Sequence, residues 1–336
     1  MKVAIIGTGA YGLALSLMVN KNTKDITMWT KFEEEKNVLE KSRCNKKLLP
    51  GVKIPNNIKF TTDLKYALEN ATLIIIAIPT AFAEETCKEI KKYTTKDQHF
   101  LIATKGIKQD SCMFMHEIVS KEIHTSKYAV ISGPSFAIDM ANNSTIGLSL
   151  AANNKETRKI VKKLLEGDSL KLRDSKDIIG IEICGAIKNV IGIASGMVYG
   201  MNYSDSTKAM FITETLNDVK KLIFSLGGTK KTILSFAGFG DILLTCTSEN
   251  SRNFKLGYLI GSKKPKKDID DYINNTTIEG LYTLSSIHNL LKRKKISLPI
   301  INLINDIIIN GENSSKVYIK DTNDYNKVAN LVSIKM

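Results

Sequence analysis

The sequence predicts an α/β half, built on a doubly wound and mostly parallel sheet, followed by an all-helical half. Three observations predict it. Short β-rich apolar runs alternate with helical stretches through the first 150 residues. The string Gly7-Thr8-Gly9-Ala10-Tyr11-Gly12 sits between the first run and the first helix. After about residue 175 the β-rich runs stop and long apolar segments of helical character take over. At roughly 150 residues per domain, a chain of 336 residues holds about two domains. The change of pattern divides it into 1–175 and 176–336.

The elements follow in order. Val3-Ala4-Ile5-Ile6 is a strand that stops at Gly7, and Ala10 to Val19 is a helix. Asp25 to Trp29 is a second strand, and Leu73 to Ile78, stopped by Pro79, a third. Phe100 to Thr104 ends before Gly106, and Ala129 to Ser132 ends at Gly133-Pro134. Thr145 to Ala152 is a candidate for one more strand. Continuous apolar runs without polar alternation mark strands buried on both faces. Strands separated by helices imply parallel pairing with right-handed crossovers. In the second half, Ile178 to Met201 is one long buried helix, although Gly185, Gly192 and Gly196 each weaken it by ~1 kcal/mol. Thr207 to Leu226 is another, ended by Gly227-Gly228. Residues 231–309 continue with helix-like segments.

Composition excludes several classes. With 43% hydrophobic and 24% charged residues the chain is neither disordered, collagen-like nor a disulfide scaffold. No apolar run approaches the ~18–20 residues of a membrane span, and no basic amphipathic helix or lipidation signal stands out, so no stable membrane insertion is expected. Lys2 and the apolar run behind it imitate a signal peptide, but the glycines and the free cysteines disfavour that reading. The five cysteines are odd in number and lack a C-x-x-C pair, which indicates free thiols in a reducing cytoplasm. The four histidines form no H-x-x-x-H pair, so no metal site is expected. Forty-eight basic against 34 acidic residues leave a net charge of +14. Such a field draws anions, whether phosphorylated metabolites, nucleotides, nucleic acid or anionic lipid, or it reflects compositional bias on a solvated surface. Lys263-Lys264 and Lys292-Arg293-Lys294-Lys295 have no interleaved aromatics of the kind a nucleic-acid surface stacks bases on. No nucleic-acid partner is expected.

The chemistry-bearing strings begin with the glycine loop. A G-x-G-x-x-G that follows a strand and opens a helix is a dinucleotide-binding fingerprint. Gly7 permits the tight turn, Gly9 lets a pyrophosphate approach the backbone, and Gly12 lets the helix pack close. The helix N-terminus then offers N–H groups and a positive dipole to phosphate. Sites specific for NAD place an acid near the end of the second strand. Here that place reads Trp29-Thr30-Lys31, so Lys31 either faces a 2′-phosphate or is merely solvated. Ligands of open α/β sheets collect at the carboxyl ends of strands. Thr104-Lys105-Gly106 and Gly133-Pro134-Ser135-Phe136-Ala137 sit there, either as anion and carbonyl contacts or as a surface lysine and a plain turn. Lys188 lies among Ile183, Ala186, Ile187, Val190 and Ile191. Its amine is either paired, lowered in pKa and readied for acid/base work, or extended to water. Asn189 beside it is an amide able to orient a substrate. Asp241 closes Gly238-Phe239-Gly240-Asp241, and an apolar step leads to Thr245. In Ser251-Arg252-Asn253 the guanidinium is flanked by hydrogen-bonding side chains suited to phosphate, or Ser251 simply caps a helix.

Taken together, GTGAYGLAL at 7–15, RCNKKLLPGVKIP at 43–55, ATKGI at 103–107, ISGPSFA at 131–137, EICGAIKNVIGIASG at 182–196, GFGDILLTCTSENSRN at 238–253 and IEG at 278–280 resemble the bacterial type of NAD(P)-dependent glycerol-3-phosphate dehydrogenase. The resemblance runs from residue 1 to about 315. It implies a Rossmann-like NAD(P)-binding domain and a helical catalytic domain. It implies NAD or NADP as cofactor and the interconversion of dihydroxyacetone phosphate and sn-glycerol 3-phosphate. It further implies supply of glycerophospholipid synthesis in the cytoplasm by a homodimer.

Residue by residue, the resemblance makes Lys188 the acid/base and Asp241 its partner. Lys105, Gly133, Ser135, Lys188, Asn189, Asp241, Thr245, Ser251, Arg252 and Asn253 become substrate-binding positions, with Arg252 as phosphate clamp. Gly7, Gly9, Ala10, Tyr11, Gly12, Lys31, Lys105, Ala137, Arg252, Thr277 and Glu279 become cofactor-binding positions. Asp139 replaces a common Glu, Tyr11 a frequent Trp, and Lys31 a common Arg or His, the last of these bearing on cofactor preference.

Overall fold

The computed structural model of the chain describes residues 1–308. The part of the second expected domain over 309–336 lies outside the described residues. Two compact units emerge. One comprises Met1–Lys105 and Phe114–Ile178; the other comprises Gly106–Met113 and the described residues from Ile179 to Ile308.

The first unit is built on eight strands: β1 (Lys2–Ile6), β2 (Ile26–Trp29), β3 (Ile58–Thr61), β4 (Ala71–Ile76), β5 (His99–Ile102), β6 (Tyr128–Ser132), β7 (Ile146–Ala152) and β8 (Leu170–Ser175). Their spatial order is β3-β2-β1-β4-β5-β6-β7-β8. The first six pair in parallel, β7 runs antiparallel to β6, and β8 is parallel to β7. The helices α1 (Ala10–Val19), α2 (Glu33–Ser42), α3 (Leu64–Leu68), α4 (Ala83–Lys91), α5 (Met115–Ile123), α6 (Ala137–Ala141) and α7 (Lys155–Leu165) make the connections. Central strands β1, β4 and β5 are buried along nearly their whole length, as their apolar runs require. The order 3-2-1-4-5-6 reverses between β1 and β4, and open sheets of this kind bind ligands at that switch point.

Two strands escape the sequence reading. In β3, Lys59 is exposed between buried Ile58 and Phe60. In β8, Lys171, Arg173 and Asp174 are exposed while Leu170 and Leu172 point inward. These are the two edge strands, where one face meets water and the continuous apolar run gives way to alternation. The third expected strand, Leu73 to Ile78, forms as Ala71–Ile76, because the chain turns toward Pro79 two residues earlier.

From Ile179 to Ile308 the second unit is built of helices, with no strand among its described residues, while Gly106–Met113 adds a non-helical segment. Its α-helices are α8 (Ile178–Gly200), α9 (Asp205–Ser225), α10 (Asp241–Thr247), α11 (Arg252–Gly261), α12 (Lys266–Asn275), α13 (Glu279–Lys294) and α14 (Pro299–Ile308). Contrary to the expectation that no apolar run approaches the length of a membrane span, α8 is, among the described residues, long and apolar enough to cross one; 83% of its apolar window is buried inside the protein, as in a core helix. Its glycines serve packing. A Cβ on Gly196 would fall 2.0 Å from the Phe254 carbonyl oxygen, and one on Gly257 1.8 Å from that of Ile193. Helices α8 and α11 therefore touch backbone to backbone, and the ~1 kcal/mol helix penalty of glycine is offset by a contact that no other residue permits.

Gly106–Met113 lies inside the stretch 1–175 expected to form the first domain, yet it belongs to the second unit. Side chains of α13 hold its carbonyls. Ser286 Oγ donates to Ile107 O at 3.0 Å, and Arg293 donates to Asp110 O at 2.9 Å and Ser111 O at 3.2 Å.

Candidate active site

In the first unit the glycine loop leaves β1 at the switch point. Gly7 has φ of +113°, and its ideal Cβ would lie 2.4 Å from the Ala77 carbonyl oxygen at the end of β4. A Cβ on Gly12 would meet Gly7 O at 2.3 Å, so α1 presses against the loop's own backbone. Gly9 differs: a Cβ there meets nothing within 4 Å, and the residue is exposed. Its missing side chain leaves an open approach to the N-terminus of α1, which has no side-chain cap and no acid in its first turn. That is the arrangement an anion needs.

Tyr11, Lys105, Gly133 and Ser135 come together beside that loop. Tyr11 Oη and Ser135 Oγ lie 3.2 Å apart, and Ser135 Oγ donates to Gly133 O at 3.0 Å. Lys105 Nζ donates to the same carbonyl at 3.3 Å and stands 5.6 Å from the centroid of the Tyr11 ring. The cation and the hydroxyls thus converge on the ends of β5 and β6. Ala137 opens α6 and, like Ala10 and Tyr11, is partly buried against the unit's core.

At the end of β2 the structure adds an acid that the Trp29-Thr30-Lys31 string conceals. Glu35, on the first turn of α2, accepts a 2.5 Å hydrogen bond from the buried Thr30 hydroxyl. Lys31 is exposed and stands 3.7 Å from Glu85 of α4. One cation and two carboxylates therefore share this corner. The signal for Glu35 was its helical first-turn position four residues past Lys31, which a search for an acid on the strand itself passes over.

In the second unit α8 and α10 face one another in register. Lys188 Nζ donates to Asp241 Oδ1 at 2.7 Å. The Asp241 side chain is fully buried and that of Lys188 is 13% exposed. One turn along each helix, the Cβ position of Gly192 lies 2.8 Å from Thr245 Cγ2. Farther along, Ser195 Oγ donates to Cys246 O at 2.8 Å. Asp241 opens α10 directly after a π-helical turn, Phe236–Gly240, a local geometry that often marks functional sites. Thr245 Oγ1 is buried with no hydrogen-bond partner among the described residues. A buried unpaired hydroxyl costs about 1–3 kcal/mol. Cys246 next to it is no nucleophile, because burial pushes its thiol up to about 12.

Ser251, Arg252 and Asn253 begin α11. Ser251 Oγ accepts from Phe254 N–H at 3.2 Å and caps the helix. The Arg252 side chain is exposed at the first helical position, and its carbonyl accepts from Tyr272 Oη at 3.2 Å. No acid occupies the first turn of α11, so guanidinium and helix dipole act on an anion with the same sign. Asn189 and Asn253 are buried and bonded to each other, Nδ2 of Asn253 donating to Oδ1 of Asn189 at 3.0 Å. Asn189 Nδ2 donates to Glu279 Oε2 at 3.1 Å, and Gly280 N–H donates to Asn253 Oδ1 at 2.9 Å. Thr277 is exposed just before α13, within two residues of Glu279. Gly280, Tyr272 and Glu35 were not found by sequence reasoning. Among the described residues no group of three His, Cys, Asp or Glu side chains is placed to hold a metal.

The family described as NAD-dependent glycerol-3-phosphate dehydrogenase N-terminus matches residues 2–158, and its C-terminus counterpart matches residues 177–318. A glycerol-3-phosphate dehydrogenase (NAD(P)+) of Fusobacterium nucleatum is 32% identical over 320 residues, covering 94% of this chain and 95% of that protein. The enzyme of the same name from Staphylococcus aureus is 32% identical over 332 residues, covering 97% and 98%. The crystal structure of glycerol-3-phosphate dehydrogenase from Coxiella burnetii superposes with a TM-score of 0.90 at 30% identity, covering 99% of each chain.

Proposed function

The chain belongs to the NAD-dependent glycerol-3-phosphate dehydrogenase family and is an NAD(P)-dependent oxidoreductase, and we propose that it reduces dihydroxyacetone phosphate to sn-glycerol 3-phosphate, the reverse oxidation using the same groups. The observation that carries this reading is the buried Lys188–Asp241 pair, one helical turn from the unpartnered Thr245 hydroxyl. Together they supply a proton donor and a hydrogen-bonding group where a small ketone needs both.

The residues of the first unit fit the cofactor. Gly9 leaves the approach to α1 open, and Gly7 and Gly12 leave no room for a side chain behind it. Gly7, Gly9, Ala10, Tyr11 and Gly12 would hold the pyrophosphate end, and Lys31 would face the adenosine ribose. Lys105, Ala137, Arg252, Thr277 and Glu279 complete the proposed cofactor set. The reduced nicotinamide, when bound, supplies the hydride for the carbonyl carbon.

The chain's own groups do the rest. Arg252 and the N-terminus of α11, with Ser251 and Asn253, would hold the phosphate. Lys105, Gly133 and Ser135 would hold the hydroxyl and carbonyl-bearing end, with Asn189 and Thr245 orienting it. The Lys188 ammonium polarises the carbonyl, donates its proton to the oxygen as the alkoxide develops, and takes it back in the reverse direction. Asp241 aims the amine and compensates its charge. It transfers no proton.

The product would supply the backbone of glycerophospholipids, from a cytoplasmic homodimer. Absorbance-followed cofactor oxidation tests the reading. Turnover is expected with dihydroxyacetone phosphate and not with unphosphorylated dihydroxyacetone. Equal turnover with both would remove the phosphate site, and turnover with neither would remove the substrate.

A further inference from the structure

We propose that Asn189, Asn253, Glu279 and the N–H of Gly280 form a one-way hydrogen-bonded circuit that fixes Lys188, Arg252 and Glu279 relative to one another, which makes Gly280 a positioning residue and gives Asn253 a positioning role in addition to its proposed phosphate contact. The proposal rests on the roles assigned above to those three side chains. The circuit closes through the chain itself. Asn189 bonds Glu279, Glu279 is covalently joined to Gly280, Gly280 N–H bonds Asn253 Oδ1, and Asn253 Nδ2 bonds Asn189 Oδ1. Each corner adjoins or contains a residue of the proposed machinery. Asn189 follows Lys188 on α8, Asn253 follows Arg252 on α11, and Glu279 opens α13.

The direction of the bonds is dictated by chemistry. A backbone N–H only donates, so Asn253 must turn its oxygen to Gly280. Its amide nitrogen then faces Asn189, whose oxygen must accept. The amide nitrogen of Asn189 is left for Glu279, and an ionised carboxylate only accepts. Only this one sense satisfies every group. The packing leaves no slack either. A Cβ on Gly280 would lie 2.6 Å from Asn189 O and 2.7 Å from Asn253 Oδ1. Both asparagines are buried, at 3% and 8% exposure, so water does not substitute for a lost partner.

This one-way sense makes a specific test possible. Asn253→Asp changes no shape, and a carboxylate at 253 still accepts from Gly280. It can no longer donate to Asn189, so Asn189 must turn its nitrogen to 253 and its oxygen to the Glu279 carboxylate, two acceptors face to face. Glu279→Gln in the same chain supplies a donor there: the two side-chain bonds reverse, the bond from Gly280 N–H keeps its direction, and every group has a partner again. Glu279→Gln alone keeps the original sense, because its amide oxygen accepts from Asn189.

The experiment measures NADH affinity by fluorescence titration, and kcat and KM for dihydroxyacetone phosphate, on the full chain. Asn253→Asp is expected to weaken NADH and to lower kcat, each about tenfold, within the roughly 5- to 150-fold range of coupled sites. The Asn253→Asp/Glu279→Gln double variant is expected to recover most of both losses relative to Glu279→Gln alone. If Asn253→Asp changes only the KM for dihydroxyacetone phosphate, or if the double variant shows no recovery, the circuit is refuted and Asn253 acts locally. Should Asn253→Asp fail to fold, Asn253→Ala, which opens the circuit without adding charge, must weaken NADH in its place, and unchanged NADH affinity there refutes the circuit. Glu279→Ala with unchanged NADH affinity would instead overturn the cofactor role of Glu279. A wild-type chain that binds NADH but does not turn over dihydroxyacetone phosphate would overturn the proposed reaction, while the NADH arm still reads the circuit.

Discussion

Lys188 Nζ lies 2.7 Å from Oδ1 of Asp241, and the two side chains are unequally buried: Asp241 is sealed off, whereas Lys188 keeps 13% of its surface exposed. The pair is therefore asymmetric. Removing the lysine takes the cation away from a carboxylate that water does not reach, and removing the carboxylate leaves an amine that water does reach. Breaking a buried pair costs about 3–5 kcal/mol when the charge left behind is uncompensated. Lys188→Met should lower stability by about 3 kcal/mol, and Asp241→Asn by distinctly less. Urea unfolding of both variants checks this; the reverse order would mean that Lys188 is the more dependent partner.

On the proposed reading Asp241 aims the Lys188 amine and is not among the cofactor-binding residues, so Asp241→Asn should also slow turnover while leaving cofactor affinity unchanged. Steady-state kinetics beside NADH titration would show it. A variant with wild-type kcat would remove the orienting role.

Arg252 stands at the first position of α11, exposed and with no acid in the same turn. Arg252→Ala should raise the KM for dihydroxyacetone phosphate at least about tenfold, the loss expected for a charge-assisted hydrogen bond of ~1.5–3 kcal/mol. Arg252→Lys should recover only part, since an ammonium lacks the planar fork. An unchanged KM in Arg252→Ala would move the phosphate clamp elsewhere.

Cofactor choice should answer to the corner at the end of β2. Lys31 stands 3.7 Å from Glu85, and Glu35 is bonded to Thr30. Lys31→Ala should raise the KM for NADPH by about fivefold, because an exposed charge pair is worth up to ~1 kcal/mol, and leave NADH nearly unaffected. Glu35→Gln and Glu85→Gln should shift the ratio toward NADPH. Comparing both cofactors across the three variants checks the assignment, and a ratio indifferent to all of them would place recognition outside this corner.

Acid sensitivity should have an origin far from the site. His99 is buried on β5 with Nδ1 2.8 Å from Thr157 Oγ1, and burial lowers its pKa below the ordinary 6.5, the nearby Glu156 carboxylate opposing that shift. Below pH 6.5 the unfolded chain takes up a proton that folded His99 resists, so the unfolded state binds more protons and stability falls as pH falls. The urea midpoint should therefore drop between pH 7.5 and pH 5.5 more steeply in the wild type than in His99→Asn. Parallel slopes would exonerate His99.

Much of this architecture was legible because apolar continuity and glycine placement carry direct physical meaning. The run at 178–201 reads as a buried helix, and it forms as Ile178–Gly200. What stayed hidden had reasons of its own. β3 and β8 are edge strands whose exposed lysines and arginine break the apolar run. Gly196 reads locally as a weak point in a helix; only the position of Phe254, 58 residues away, reveals it as a contact. Ser251 gave two readings, and its capping of α11 is what the fold displays. Glu35 and Gly280 were silent because their partners, Thr30 and Asn253, meet them only after folding. The segment 106–113 was assigned to its neighbours in sequence, whereas the α13 side chains that hold it lie more than 170 residues downstream.

The most direct test of Lys188 as proton donor is the turnover of Lys188→Ala beside the Lys188→Met/Asp241→Asn double variant, which removes the buried charge that faces the amine. Both are compared with wild type for NADH binding, and for NADH oxidation by saturating dihydroxyacetone phosphate. Both variants should bind NADH as wild type does, and kcat should fall by ~10²–10⁴, the range for loss of a general acid. A folded, cofactor-binding Lys188→Ala with kcat near wild type would contradict the assignment of Lys188 as the proton donor.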